Sequence, residues 1–367
     1  MKQIYLDNAA TTKVDEKVVK AMIPYFNKIY GNASSQHIKG MEAKRTLEHC
    51  RSTIAKSIGA KSEEIIFTSG GTESNNLALK GLFFSNKKNG KNHIITTKIE
   101  HDCILNSCKW LEAQGAKITY LNVDEKGFIN LKELKKSINQ NTLLVSVIHA
   151  NNEIGTIQNI EEIGKICKEK NVYFHTDACQ SYTKTKINVK QQNLDLVTLN
   201  SHKIHGPKGV GALYIKKDIK ITPVMHGGGH EKNIRSGTEN IPGIFGFAKA
   251  VKITKEKHIK QISKLRDYLI SEILKIQGTK LNGAKRLCNN INISFKNIEG
   301  EAIGGYLDAH GISSSTGSAC SSYTLSTSHV LKAIGLSDLE ANTSIRLSLS
   351  RYNTKQEIDY RIKILNK

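Results

Sequence analysis

Between residues 60 and 215, short apolar runs rich in β-branched residues alternate with stretches whose apolar positions recur every three or four residues. The runs are Glu64 to Thr68, Ile94 to Thr97, Ile118 to Val123, Leu143 to His149, Val172 to Thr176, Leu194 to Leu199 and Val210 to Ile215. Between them lie segments such as Ile104, Leu105, Cys108 and Leu111, or Ile160, Ile163, Ile166 and Cys167, with the helical period. Strands separated by helices need crossovers, so the pattern predicts an α/β fold around a mainly parallel, seven-stranded sheet. From Ile259 through Ile262, Leu265, Leu269 and Ile273 to Ile276 the helical spacing persists without Pro or Gly. One long helix should therefore leave the sheet and end at a Gly278 C-cap. Beyond it, Ile291 to Phe295 and Ser344 to Ser348 read as strands among helices, which predicts a smaller α+β C-terminal domain.

The unusual polar clusters fall directly after predicted strands. They are "TSGGTESNN" (68–76), "EHD" (100–102), "HANNEIG" (149–155), "TDACQ" (176–180) and "NSHKIHGPKGVG" (200–211). In open α/β sheets the C-terminal edge of the strands is where ligands bind, so these loops are the candidate site.

Composition narrows the classes. With 38% hydrophobic and 24% charged residues and only 4 Pro, the 367-residue chain is neither disordered nor fibrous. Its longest apolar runs fall far short of a membrane span. No signal peptide or transit helix is visible at the N-terminus, so the expected location is the cytoplasm. Seven scattered Cys without a CxxC pair argue against a disulfide framework or a zinc finger. Cys103 and Cys108 sit on different faces of one predicted helix and are read as structural. The net charge of +21 invites a nucleic-acid reading. That reading is not favoured, because the lysines are spread along the chain with no basic block interleaved with aromatics. A solvated basic surface is preferred, with acidic protein partners as the alternative.

Each cluster admits a chemical and a structural reading. "SGGTES" places two Gly and Thr72 at a helix start, where amides, hydroxyl and dipole can hold a phosphate; the alternative is a Gly-rich turn with a Thr cap. It lacks both the nucleotide P-loop ending and GxGxxG, which disfavours ATP and NAD. Asp177 ends an apolar strand, where an ionised carboxylate needs a cation or donor such as a protonated pyridine nitrogen; otherwise it is a helix cap. Lys203 lies in a short polar loop closed by Gly206 and Pro207 and is a candidate Schiff-base lysine. His101 is either a helix-start residue or a catalyst. His226 and His230 flank three Gly without a further ligand at suitable spacing, so no metal site is assigned; their segment reads as a mobile or phosphate-contacting loop. Cys320, in the Ser-rich "ISSSTGSACSSYTLSTSHV", is a candidate reactive thiol.

These motifs, with "YLDNAATT" (5–12), "GNASSQH" (31–37), "RSGTEN" (235–240) and "SIRLSLSRYNT" (344–354), run in one order over nearly the whole chain. In that order they resemble the pyridoxal-phosphate-dependent cysteine desulfurases, within the class-V aminotransferases. The long loop around Cys320 is similar to that of the group serving iron–sulfur cluster assembly. The resemblance implies the PLP-dependent transferase fold type I, with a large cofactor-binding domain over 15–255. A small domain, 1–14 with 256–367, would carry the Cys loop. Lys203 would bind the cofactor covalently, His101 stack on its ring, Asp177 pair with the ring nitrogen and Gln180 bond the phenolic oxygen. Gly71, Thr72, Ser201 and His202 would hold the phosphate, with Thr238 reaching in from a second subunit of a homodimer. Asn152 would contact both cofactor and substrate, and Asn32, Asn152 and Arg346 would orient the substrate carboxylate, Arg being suited by its planar fork.

The implied reaction converts L-cysteine to L-alanine. Lys203 removes the Cα proton, and the Cys320 thiolate takes the sulfur as a persulfide for an iron–sulfur scaffold, tRNA thiolation or another acceptor protein. Ala33, His230 and Asn200 depart from the family's usual Pro, Gln and Ser. A selenocysteine lyase or transaminase on the same scaffold is the alternative enzyme, and a catalytically silent scaffold protein the alternative from another class.

Overall fold

In a computed structural model, residues 3–316 and 327–365 of the protein are described. Twelve strands are present among them: β1 (Ile4–Tyr5), β2 (Ile65–Thr68), β3 (His93–Thr97), β4 (Lys117–Leu121), β5 (Thr142–Ser146), β6 (Tyr173–Asp177), β7 (Leu196–Asn200), β8 (Gly211–Ile215), β9 (Thr279–Leu281), β10 (Asn290–Phe295), β11 (Ile312–Ser313) and β12 (Ser344–Ser348). The seven apolar runs form one sheet in the order β2-β8-β7-β6-β5-β3-β4. All its pairings are parallel except those of β8, which runs antiparallel to both β2 and β7. Strands buried on both faces read as continuous apolar runs, and β3, β5 and β7 are buried at every position. Apolar clusters cover both faces. One includes Phe67, Phe174, Val197 and Phe247, the other Ile66, Ile94, Leu144 and Leu213.

A second sheet, β9-β10-β12, is antiparallel. The long helix packs beside it, over Glu256–Ile273. It stops short of the expected Gly278 cap. That glycine, at φ 82°, instead forms the turn into β9, where its carbonyl accepts from Lys296 N at 2.8 Å. The N-terminal β1 joins this second body by parallel pairing with β11, and Ile4 and Leu6 share a buried cluster with Ile262, Leu269, Ile293, Leu347 and Ile358. On this clustering we propose the division into 15–255 and 1–14 with 256–367. No helix among the described residues is long and apolar enough to cross a membrane.

Candidate active site

The sheet order brings distant loops together. Thr68 and Asn200 both pair with Gly211, so the loop after β2 and the loop joining β7 to β8 are neighbours. A Cβ on Gly211 would lie 2.8 Å from Gly70 Cα and 2.7 Å from Leu199 O, a contact only glycine avoids. Gly71 opens the next helix, Gly71–Asn76, against Cys179, whose Sγ would stand 2.5 Å from an added Cβ. Thr72 is exposed at the helix start. Across the gap, Asn200 Oδ1 and Ser201 Oγ are buried without a hydrogen-bond partner. Unmatched buried polar atoms cost on the order of 1–3 kcal/mol each, so such a cluster marks a place shaped for a polar ligand.

Lys203 sits in a turn clamped by backbone. Ile204 N and Gly206 N both donate to Ser201 O at 3.1 Å. Thr12 donates to His202 O from N (3.0 Å) and Oγ1 (2.7 Å), and its Oγ1 accepts from His205 N at 2.9 Å. His202 Nδ1 lies 3.1 Å from Thr11 Oγ1. Burial, then the charges of Lys203 and Lys208, push the His202 imidazole down to about 3. It is neutral at physiological pH.

Asp177, at the end of β6, is 5% exposed. Its Oδ1 accepts from Cys179 N at 2.8 Å and its Oδ2 from Asn75 Nδ2 at 2.7 Å. The carboxylate is thus both a turn cap and a charge facing the site. His101 caps the Asp102–Glu112 helix by accepting from Cys103 N on Nδ1 at 3.2 Å. Burial, then the nearby Lys203 ammonium, holds its imidazole below the ordinary histidine range. Lys203 also acts electrostatically on Cys103 and Cys179, which sets Lys203, His101, Asp177 and the two thiols around one space. Gln180 Nε2 donates to Ala9 O at 2.9 Å.

Arg346, on β12, is 1% exposed. Its Nη2 donates to Asp7 Oδ1 at 2.8 Å and its Nη1 to Asn152 O at 3.2 Å, while its Nε and Asn152 Oδ1 are buried without partners. Asn32 is not joined to this pair. It is exposed, and its Oδ1 accepts from Ser34 N at 2.9 Å in a local turn. Thr238 is exposed, three residues from Arg235, which grips Glu73 at 2.7 Å. The segment before it, expected as a mobile or phosphate-contacting loop, is fixed at Glu231. That carboxylate takes Arg51 Nη1 at 2.7 Å, Arg51 Nη2 at 2.8 Å and Phe67 N at 2.7 Å, all buried. Among the described residues no group of His, Cys, Asp and Glu is arranged to hold a metal.

Cys320 lies outside the described residues. Its flanks touch the site: Ser315 and Arg346 exchange backbone hydrogen bonds at 3.2 and 2.6 Å, Ser328 Oγ donates to Glu153 Oε2 at 2.5 Å, and His329 Nε2 lies 2.9 Å from Glu100 O. Two side chains at this site carried no separate expectation, and a third was read otherwise. Asn75 and Glu100 lie inside the quoted motifs, where their neighbours drew the reading. Cys103, expected to be structural, reaches His101 Nδ1 and Asn75 Nδ2, both at 3.1 Å. Helix spacing alone does not reveal that its first turn faces the end of β6.

The class-V aminotransferase model matches residues 4–360. The chain belongs to that family. It is 49% identical to the cysteine desulfurase IscS of Dictyoglomus turgidum, over all of this chain and 94% of that one. A NifS-like protein of known structure superposes with a TM-score of 0.93 at 40% identity, covering 99% of this chain and 98% of the other. The structure of SspA in complex with cysteine superposes with a TM-score of 0.87 at 37% identity, covering 96% and 100%.

Proposed function

We propose that this class-V family member is a pyridoxal-phosphate-dependent cysteine desulfurase, forming L-alanine and a Cys320 persulfide from L-cysteine. The observation that carries the reading is two clusters of unmatched buried polar groups among the motif residues. Asn200 Oδ1 and Ser201 Oγ lie beside Lys203, and Asn152 Oδ1 and Arg346 Nε lie beside the second sheet. The residues fit a phosphorylated pyridine aldehyde. Ser201, His202, Thr72 and the Gly71 helix start would hold its phosphate, Asp177 its ring nitrogen, Gln180 its phenolic oxygen, His101 its face and Lys203 its aldehyde carbon. When bound, the cofactor supplies an electron sink for a carbanion at the substrate Cα.

The chain's own groups do the rest. Arg346, already oriented by Asp7, offers its unpaired Nε–H to the substrate carboxylate, with Asn152 beside it; Asn32 would have to approach from its exposed turn. Lys203 Nζ removes the Cα proton. The Cys320 thiolate attacks the substrate sulfur; the Cβ–S bond breaks as the S–S bond forms, and the thiol of cysteine leaves its carbon as the outer sulfur of the persulfide. One cysteine and one thiol give one alanine and one persulfide, so no external oxidant is required. An acceptor protein, such as an iron–sulfur scaffold or one acting in tRNA thiolation, then takes the sulfur.

The same reading includes a homodimer with Thr238 completing the partner's phosphate site. It is supported by the exposed apolar side chains of Ile23, Phe26, Tyr30, Ile38 and Met41. Incubating the purified protein with L-cysteine and a reductant, and quantifying alanine and sulfide, tests the function. Equal amounts of both are expected; an oxo acid as product would assign a transaminase, and a preference for selenocysteine a lyase.

A further inference from the structure

The chemistry assigned above uses His101 and Asp177, and one thiol connects them. Asn75 Nδ2 stands 2.7 Å from Asp177 Oδ2 and 3.1 Å from Cys103 Sγ. Turned over, the amide would set its oxygen against the Asp177 carboxylate, two acceptors in contact, so the nitrogen belongs where it is. One of its hydrogens goes to the carboxylate and the other to the sulfur. Cys103 Sγ, having accepted that hydrogen, directs its own toward the remaining neighbour, His101 Nδ1, at 3.1 Å. The same Nδ1 accepts the Cys103 backbone N–H at 3.2 Å. Two donors then converge on one lone pair, and the imidazole proton must sit on Nε2.

We propose that Cys103 is a positioning residue of this site: its thiol relays the Asn75 amide to His101, keeping the imidazole neutral with Nδ1 as acceptor and Nε2–H turned to the reacting side. The thiol is suited to donate. Burial, then the Asp177 charge, pushes it up to about 12, so it keeps its hydrogen at every working pH. This same property removes it as a rival to Cys320, since the thiolate is the nucleophile. The charged and titratable groups facing the pair are Lys203, Asp177, Asp102, Glu100, His329 and Cys179. The proposal deepens the desulfurase reading and rests on it only for its kinetic consequence.

The test is nuclear magnetic resonance of histidine-labelled full-length protein loaded with pyridoxal phosphate, His101 being assigned by loss of its signal in His101→Gln. The wild type should show Nδ1 bare and Nε2 protonated. Cys103→Ala removes one donor from Nδ1 and should raise the His101 pKa by roughly half to one unit, the worth of one neutral hydrogen bond. The acid limb of the kcat/KM profile should move up with it, with little change in the cysteine concentration needed for saturation. Cys103→Ser, which restores a donor, should return the titration to the wild-type value or below. A proton on Nδ1 in the wild type, an unchanged titration in Cys103→Ala, or a serine variant that behaves like alanine would overturn the assignment. Where the alanine variant fails to fold, the wild-type tautomer and the serine titration decide alone. Alanine release by the wild type tests the underlying reading separately: no release with the expected tautomer and shift removes the desulfurase and leaves Cys103 in place.

Discussion

Arg346 Nη2 and Asp7 Oδ1 meet at 2.8 Å across 339 positions of sequence. The contact turns a buried guanidinium, which alone would be costly, into an oriented fork with its Nε still free. Arg346→Ala should therefore raise the cysteine concentration for half-saturation by roughly 30-fold to over 100-fold, about 2–3 kcal/mol, with cofactor retained. Asp7→Asn should do the same more weakly, by loosening the arginine. Steady-state kinetics with cofactor absorbance checks both; lost cofactor with unchanged saturation would reverse the assignment.

Lys203→Ala should abolish alanine formation, because it removes both the covalent anchor and the proton carrier at Cα. Borohydride treatment of the wild type should fix the cofactor to this lysine in a peptide map. Its appearance on Lys184 would move the role to that buried amine, which burial pushes down to about 8.

Cys320→Ser should separate substrate binding from sulfur transfer. Spectral changes on adding cysteine should persist while sulfide release stops. Full release would sink the persulfide role of Cys320.

Glu231→Gln should destabilise the fold by about 3 kcal/mol, since it leaves Arg51, 3% exposed, with only the half-exposed Glu48 as counter-charge. The same carboxylate supports three successive left-handed residues, Glu231, Lys232 and Asn233, at φ 45°, 59° and 64°. Thermal melts at constant pH measure the loss; a shift within error would show that the left-handed turn holds itself.

Glu100 gives a pH signature. It is fully buried, and burial pushes its carboxyl up to about 8, with hydrogen bonds from Ile148 N and Thr97 opposing. The folded state thus holds a proton that the unfolded state releases near 4.5. The resulting stability is complete below that value and is lost as pH rises through about 8. Relative to Glu100→Gln, the wild type should lose about 1.4 kcal/mol per pH unit across that window in denaturant titrations. A constant gap between the two would show that Glu100 is ionised in the fold. On the acid side the sign reverses: burial lowers His149 and His175 to about 4, so their contribution is lost below the usual histidine range.

Six strands of the large sheet were legible because they are buried at all or all but one position and therefore read as apolar runs; β4, buried only at Leu121, was legible from its β-rich composition. Lys203 and Asp177 stood out because a charged residue at or soon after the end of such a run is conspicuous, whereas His101 drew its reading from the family resemblance. The long helix ended before Gly278 because the residues after Ile273 turn toward β9, a tertiary pairing that periodicity does not encode. Cys103 was read as merely structural for a different reason. Its role comes from Asn75 and Asp177, which approach it only once β6 and the Gly71–Asn76 helix are assembled. Glu231 likewise looked like one more polar residue in a Gly-rich stretch, since nothing local announces an arginine 180 positions away.

The threading of residues 4–12 sets the order in which the enzyme can be made. They leave the ribosome long before residues 312–348, yet Ile4 pairs with Ile312, Asn8 Nδ2 donates to Ser348 O, and Asp7 holds Arg346. Thr12 and Ala9 meanwhile hold the lysine turn and Gln180. A nascent chain with its large sheet already folded still has residues 4–8 waiting for residues 312–348. Chains terminated before Arg346 are thereby left without the Asp7–Arg346 pair, and so without the group proposed to hold the substrate carboxylate.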